Sequence, residues 1–267
     1  MANPLALHTW TLDTTPLDQA LAAARRTGWD AVELRRVDFL RAREAGRRDE
    51  DVFAAVRATG LPVACVGVQF GWMWAQGAER AAVLEAFAEG CRRAVALGCP
   101  RVMSPVDFGE GDPGAAAASV REVGDLAAAA GVDVAIEFQS IAARWNTLGR
   151  VRELLARAGH PRCALLLDTY HLGRSGARPA ELEDLRPEEI GYVQVSDVPR
   201  RGVEPGKVLD RLPPGRGGAP IREYFAAILA RGYRGPISYE APNPAAWARP
   251  PDEVAGEALA AVRAALP

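Results

Sequence analysis

Short apolar runs recur eight times along this chain of 267 residues, and each is followed by a stretch with the spacing of an amphipathic helix. The runs lie at 4–10, 30–36, 62–70, 100–106, 132–139, 163–169, 190–197 and 235–241. Runs this short, apolar at consecutive positions, suit parallel strands covered on both faces. Ala-, Leu- and Arg-rich stretches near 16–27, 49–59, 78–97, 114–130, 147–158, 178–187, 219–231 and 251–265 are the expected helices. Gly28, Gly60, Gly98, Gly131, Gly159 and Gly232 stand shortly before the next strand, where helices commonly end on a left-handed residue. Thr15-Pro16 and Asp112-Pro113 mark helix starts, because proline is tolerated in a first turn.

Strict alternation over eight units predicts a single-domain (β/α)8 TIM barrel spanning 1–267, a fold for which about 250 residues is usual. A doubly wound open sheet is the competing arrangement. It would normally carry a glycine-rich phosphate loop after its first strand, and His8-Thr9-Trp10-Thr11 is not one. No Ser/Gly linker or shift of composition divides the chain into two domains.

Four of the runs stop on a residue able to bind a cation: Val134-Ala135-Ile136-Glu137, Leu165-Leu166-Leu167-Asp168, Tyr192-Val193-Gln194 and Ile237-Ser238-Tyr239-Glu240. A carboxylate at the end of a buried strand is costly unless it is paired or on a metal. In a barrel these ends share one face, where active sites are built. Glu137, Asp168, Gln194 and Glu240 offer oxygen only, which favours one divalent ion, Mn2+ or Mg2+, with Co2+ or Zn2+ as the alternatives. Three carboxylates over-neutralise a dication, which leaves one free at times to act as a base. Taken singly, a strand-end carboxylate is more often a helix cap or an ion-pair partner, and Gln194 alone would be unremarkable. His171 is expected past the turn of its strand, unable readily to share an ion with Asp168, and is read as a supporting or substrate-binding group. His8, Trp10, Glu33 and Gln69 stand at other strand ends and are assigned to substrate.

Net charge is -2, which makes no case for nucleic acid or an anionic membrane surface. Two segments depart from that balance: 34–48 holds six arginines against Asp38 and Glu44, and 200–216 holds five basic residues against Glu204 and Asp210. Both are expected to rim the active face, either gripping a phosphate or carboxylate or standing as solvated loops. Cys65, Cys91, Cys99 and Cys163 show no metal or redox spacing and are read as reduced core thiols. The first residues lack a basic start and a long apolar stretch, so a cytoplasmic protein is expected.

The segments Val-Glu-Leu at 32–34, Ile-Glu-Phe at 136–138, Leu-Leu-Asp-Thr-Tyr-His at 166–171, Val-Gln-Val-Ser-Asp at 193–197, Pro-Gly-Arg-Gly at 214–217 and Ser-Tyr-Glu at 238–240 resemble the sugar phosphate isomerase/epimerase superfamily, the xylose-isomerase-like or AP-endonuclease-2-like TIM barrels. The resemblance implies that Glu137, Asp168, Gln194 and Glu240 bind a divalent metal. It implies that Glu137 and Glu240 form the acid/base pair, and that His171 and Arg200 hold substrate oxygens. Two departures stand out. Most epimerases in this superfamily have His at the position of Gln194, where Gln looks more like certain 3-dehydroshikimate dehydratases. Phe138-Gln139-Ser140-Ile141 replaces the Asn-Arg-Phe-Glu run of the ketose epimerases.

The leading expectation is therefore a metal-dependent isomerase or epimerase acting through an enediolate on a small polyhydroxy-carbonyl substrate, anionic or neutral. The alternatives are a dehydratase of 3-dehydroshikimate or inosose type, and a barrel that binds a ligand or partner without catalysis. A DNA-repair phosphodiesterase needs a histidine-rich zinc cluster, and the chain has three histidines. Assembly as a homodimer or homotetramer is left open.

Overall fold

The computed structural model describes residues 3–202 and 206–267; Glu204, counted above in the second basic segment, lies outside them. Eight parallel strands close into a barrel in sequence order: β1 (Leu5–His8), β2 (Ala31–Leu34), β3 (Val63–Gly67), β4 (Arg101–Pro105), β5 (Asp133–Glu137), β6 (Cys163–Asp168), β7 (Ile190–Val195) and β8 (Ile237–Tyr239). Closure is made by β8 on β1, with Leu5 opposite Ile237 and Leu7 opposite Tyr239. All eight expected strands are present, each no longer than the apolar run that signals it.

Helices α1 (Leu17–Thr27), α2 (Arg36–Glu44), α3 (Asp49–Thr59), α4 (Gly77–Ala96), α5 (Pro113–Ala130), α6 (Leu148–Ala158), α7 (Thr169–Ser175), α8 (Ala180–Glu183), α9 (Ile221–Ala230), α10 (Pro244–Trp247) and α11 (Pro251–Ala265) follow in chain order. Gly28, Gly131 and Gly159 cap α1, α5 and α6 in the left-handed region, and Asp112 accepts a hydrogen bond from the Ala115 N–H at the start of α5. Three features differ from expectation. The basic segment at 34–48 holds helix α2, started by Asp38 accepting the Arg35 N–H at 2.7 Å. The 178–187 stretch shrinks to the single turn α8, followed by a 3-10 turn at Pro187–Glu189. Helix α7 begins directly after β6, because the Asp168 side chain accepts the Tyr170 N–H at 2.9 Å and caps it. Among the described residues, no helix is long and apolar enough to cross a membrane.

The strand period of two sorts the buried side chains. Leu5, Leu7, Val32, Leu34, Val134, Ile136, Leu165, Leu167, Val193, Val195, Ile237 and Tyr239 belong to the large core cluster shared with the helices. Ala6, Ala31, Ala64, Cys65, Met103, Ala135, Leu166 and Tyr192 form a second, separate cluster inside the barrel. Two residues further along the same strands stand His8, Glu33, Glu137, Asp168 and Gln194, all buried. The barrel interior therefore consists of an apolar layer with a polar layer above it.

Candidate metal centre and active site

The polar layer gathers around Asp168. Its Oδ2 lies 2.7 Å from Arg211 Nη1, and the same nitrogen lies 2.7 Å from Glu240 Oε2. His171 Nε2 stands 3.8 Å from Asp168 Oδ2 and 3.7 Å from Glu137 Oε1. Glu137, Asp168 and His171 present ligand atoms all within 4.8 Å of one another. The expectation that His171 stands too far round to share an ion with Asp168 is thus corrected. Helix α7 starts so abruptly that three residues carry His171 back over the end of its own strand.

His171 Nδ1 meets Ser140, with the hydroxyl at 2.8 Å and the backbone nitrogen at 3.2 Å. Arg211 Nη2, a donor only, lies 3.3 Å from Nε2. The Ser140 N–H donates to Nδ1 and the Arg211 guanidinium points a donor at Nε2, so two donors compete for the single lone pair of the neutral ring. The Ser140 hydroxyl, able to donate or accept, suits either tautomer. On the other side of the layer, His8 Nδ1 accepts the Trp10 N–H at 3.0 Å, so Nε2 carries hydrogen and faces Glu240 Oε1 at 3.3 Å. Gln194 donates through Nε2 to Glu33 Oε1 at 2.9 Å.

Burial dominates the electrostatics. It raises the Glu137 pKa well above the usual carboxylate range, with the charges of Glu240 and Asp168 adding to the effect. Asp168 is pushed up to about 6 by burial, against the opposing pull of Arg211. Glu33 is pushed up to about 8, by burial first and Glu240 second. His8 and His171 are held well below their ordinary value by burial and neighbouring arginines. Arg211 would lose its proton more easily on burial alone; the charges of Asp168, Glu240 and Glu137 reverse this and raise its pKa. The layer is thus rich in carboxyl groups whose charged forms burial disfavours.

The donor set fits a divalent ion. Glu137 Oε1 and Gln194 Oε1 are both buried acceptors with no hydrogen-bond partner, a costly state that a coordinated cation relieves. Carboxylate and amide oxygens beside one imidazole nitrogen suit Mn2+, Mg2+, Co2+ or Zn2+.

Arg211 is the group that sequence reasoning missed. It is 3% exposed, and its guanidinium centre lies 4.4 Å from the Tyr170 ring and 6.0 Å from the Trp10 ring. Its loop is built by Asp197. A two-way backbone bridge joins Asp197 to Leu212, and the Asp197 carboxylate accepts the N–H groups of Gly215, Gly217 and Ala219. A Cβ at Gly217 would stand 2.2 Å from the Val198 carbonyl oxygen, so the loop closes only with glycine there. The signal in the sequence was Asp197 together with Pro-Gly-Arg-Gly at 214–217; its meaning was a scaffold that delivers Arg211.

The other assigned residues are dispersed. Arg200 is exposed and lines a surface cleft with Asp197, Gly217 and Arg222, so the guanidinium that reaches the carboxylates is that of Arg211. Gln69 is half-buried and donates to the adjacent Phe70 carbonyl. Trp10 is half-buried, between the guanidinium groups of Arg35 and Arg211, each centred 6.0 Å from its ring. Glu33 is fully enclosed, its second oxygen accepting the Tyr192 hydroxyl at 3.0 Å. In the first basic segment, Arg35 and Arg41 pair with Asp13, Arg43 with Asp49 and Glu89, and Arg47 with Asp18. Much of that apparent positive rim is neutralised.

The profile of the family described as xylose isomerase-like TIM barrel matches residues 21–265. The chain belongs to that family. Two curated relatives are 3-dehydroshikimate dehydratases. The one from Pseudomonas aeruginosa is 31% identical over 138 residues, half of this chain and 21% of the relative. The one from Pseudomonas putida is 30% identical over 145 residues, 52% of this chain and 22% of the relative. Each match therefore spans only about a fifth of the curated protein. Among solved structures, a xylose isomerase-like TIM barrel/4-hydroxyphenylpyruvate dioxygenase fusion protein superposes with a TM-score of 0.89 at 23% identity, over 98% of this chain and 42% of its own. The IOLI protein, solved with a binding zinc atom, gives 0.87 at 18% identity over 98% and 97% of the two chains. A D-allulose 3-epimerase from Methylomonas sp. gives 0.77 at 19% identity over the full length of both. At these identities the solved structures establish the fold.

Proposed function

We propose that this barrel is a divalent-metal-dependent enzyme that removes a proton α to the carbonyl of a small polyhydroxy substrate, with elimination of a β-hydroxyl as water from a cyclic ketone of 3-dehydroshikimate type as the net reaction. The observation that carries the reading is the pair of buried, unpartnered acceptors, Glu137 Oε1 and Gln194 Oε1, beside Asp168, His171 and Glu240. Glu137, Asp168, Gln194 and Glu240 would hold the ion, with His171 Nε2 next to them. Such an ion, when bound, polarises the substrate carbonyl and stabilises the negative charge that develops on its oxygen. Glu240 is the proton acceptor, oriented by Arg211 on one oxygen and His8 on the other. The proton taken by Glu240 leaves on the departing hydroxyl, with Glu137 as the second carboxylate of the acid/base pair. One proton leaves carbon and one hydroxide leaves its neighbour, so one water is released.

The dehydratase outcome is favoured over the isomerase expected from the resemblance because both curated relatives carry that activity and because Gln stands at 194. Epimerisation is the second reading, supported by the separation of Glu137 and Glu240 three strands apart around the ring, which suits proton removal and return from different sides. Protein loaded with Mn2+, incubated in D2O with 3-dehydroshikimate, an inosose or a free ketose and followed by NMR, separates the two. Loss of the carbinol resonance at the β-carbon marks elimination, and a new epimer deuterated at the α-carbon marks epimerisation. Absence of both product and deuterium exchange with every one of these substrates sinks the enolisation reading.

A further inference from the structure

Gln194 differs from the other strand-end groups because its two terminal atoms are chemically unlike: the oxygen can coordinate a cation and the nitrogen cannot. Strand geometry delivers the side chain to the right depth but leaves its amide flip undecided. In the structure Nε2 donates to Glu33 Oε1 at 2.9 Å, and Oε1 is left buried without a partner. Glu33 is held in turn by Tyr192, whose hydroxyl meets Oε2 at 3.0 Å. Tyr192 lies one layer below Gln194 on β7 and reaches Glu33 on β2 across an interior where Ala6, Ala31 and Ala135 leave it room. Both Glu33 and Gln194 are completely enclosed.

We infer that Glu33 is a positioning residue that touches neither substrate nor ion and locks the Gln194 amide with its oxygen turned to the metal space. The inference rests on the metal-site reading above. Only an acceptor captures the NH2 end of an amide; a donor at position 33 would draw the oxygen away instead. The Tyr192 hydroxyl both donates and accepts, so a proton on Glu33 Oε2 is accommodated and Oε1 stays an acceptor. Outer partners of this kind typically change metal affinity by about 10–100-fold.

The test is Mn2+ binding to the metal-free protein by titration calorimetry, with melting curves for each variant. Glu33→Met is expected to weaken Mn2+ binding about 10–100-fold. Glu33→Gln, whose amide oxygen still accepts from Gln194, is expected to restore most of it. In a Gln194→Glu background both atoms at position 194 are oxygens and no flip remains to be set. There Glu33→Met should leave Mn2+ binding close to that of the Gln194→Glu parent. If Glu33→Met does not fold, Glu33→Ala in the two backgrounds carries the same contrast: weakened binding with Gln194 and near-parental binding with Gln194→Glu. Equal weakening in both backgrounds, or no change with Gln194 present, overturns the role of Glu33 while leaving the metal site standing. A parent protein that binds no Mn2+ defeats the metal reading itself, and the role of Glu33 with it.

Discussion

Two layers inside one barrel, separated by two residues along each strand, obey opposite rules. The lower layer, with Ala6, Ala31, Met103, Ala135, Leu166 and Tyr192, is packed from apolar side chains graded in size so that one tyrosine spans the interior. The upper layer, with His8, Glu33, Glu137, Asp168, Gln194 and Glu240, sets four carboxyl groups around one buried guanidinium and leaves two acceptors unpartnered. The lower layer contributes stability by excluding water and filling space. The upper one holds groups whose charged forms are disfavoured by burial, which weakens the metal-free fold. The difference teaches that the local strain on stability is confined to a single ring of side chains, supported from beneath by a core that does not depend on it.

The largest expected effect belongs to the upper layer and to turnover. Glu240→Gln should keep much of the Mn2+, since an amide oxygen still coordinates, yet lose about 10²–10⁴-fold in rate because an amide takes no proton. Solvent-deuterium exchange at close to the parental rate in this variant would reassign the base to Glu137. Arg211→Met tests the counter-ion. Asp168 and Glu240 lose their buried partner, and the metal-free protein should be destabilised by about 3–5 kcal/mol, measured by urea unfolding. Added Mn2+ should recover most of that loss; an unchanged metal-free midpoint would mean that the guanidinium does not neutralise the layer.

In the lower layer, Leu166→Ala should cost about 2–5 kcal/mol whether or not metal is present. A large fall in Mn2+ affinity alongside it would break the separation between the layers. The smallest effect is one of pH. Asp168 has a folded-state pKa of about 6, raised from 3.8. Its protonated form is favoured by the fold, so its contribution to metal-free stability is complete below about 3.8 and is lost as pH rises through about 6. Mn2+ binding requires the ionised carboxylate and should weaken as pH falls through the same window. Melting curves of metal-free and Mn2+-saturated protein between these limits should therefore differ in the sign of their pH dependence. Parallel slopes would show that Asp168 is not a ligand.

Much of this molecule was legible in the order of its residues. Glu137, Asp168 and Gln194 could be assigned to one layer because the strand period is two and the residues two places earlier are Ala135, Leu166 and Tyr192. The helix at 36–44 was hidden by its arginines, which suggested a charged loop until Asp38 capped it and Asp13 and Asp49 paired two of them. His171 was misjudged for a related reason: a strand end and a helix start share Asp168, and no periodicity reveals a turn that tight.

By itself the sequence determined the closed parallel barrel, its eight strands and the depth at which each strand-end group sits. Those properties follow from local periodicity, hydrophobic burial and chain connectivity. Only the tertiary structure decided that Arg211, rather than Arg200, meets the carboxylates and that His171 turns its Nε2 towards them. It also decided that Glu33 takes the NH2 end of Gln194, a residue 161 positions away. These contacts join side chains from distant strands and a glycine-dependent loop. Their partners are chosen by distances of a few tenths of an ångström that exist only once the ring has closed.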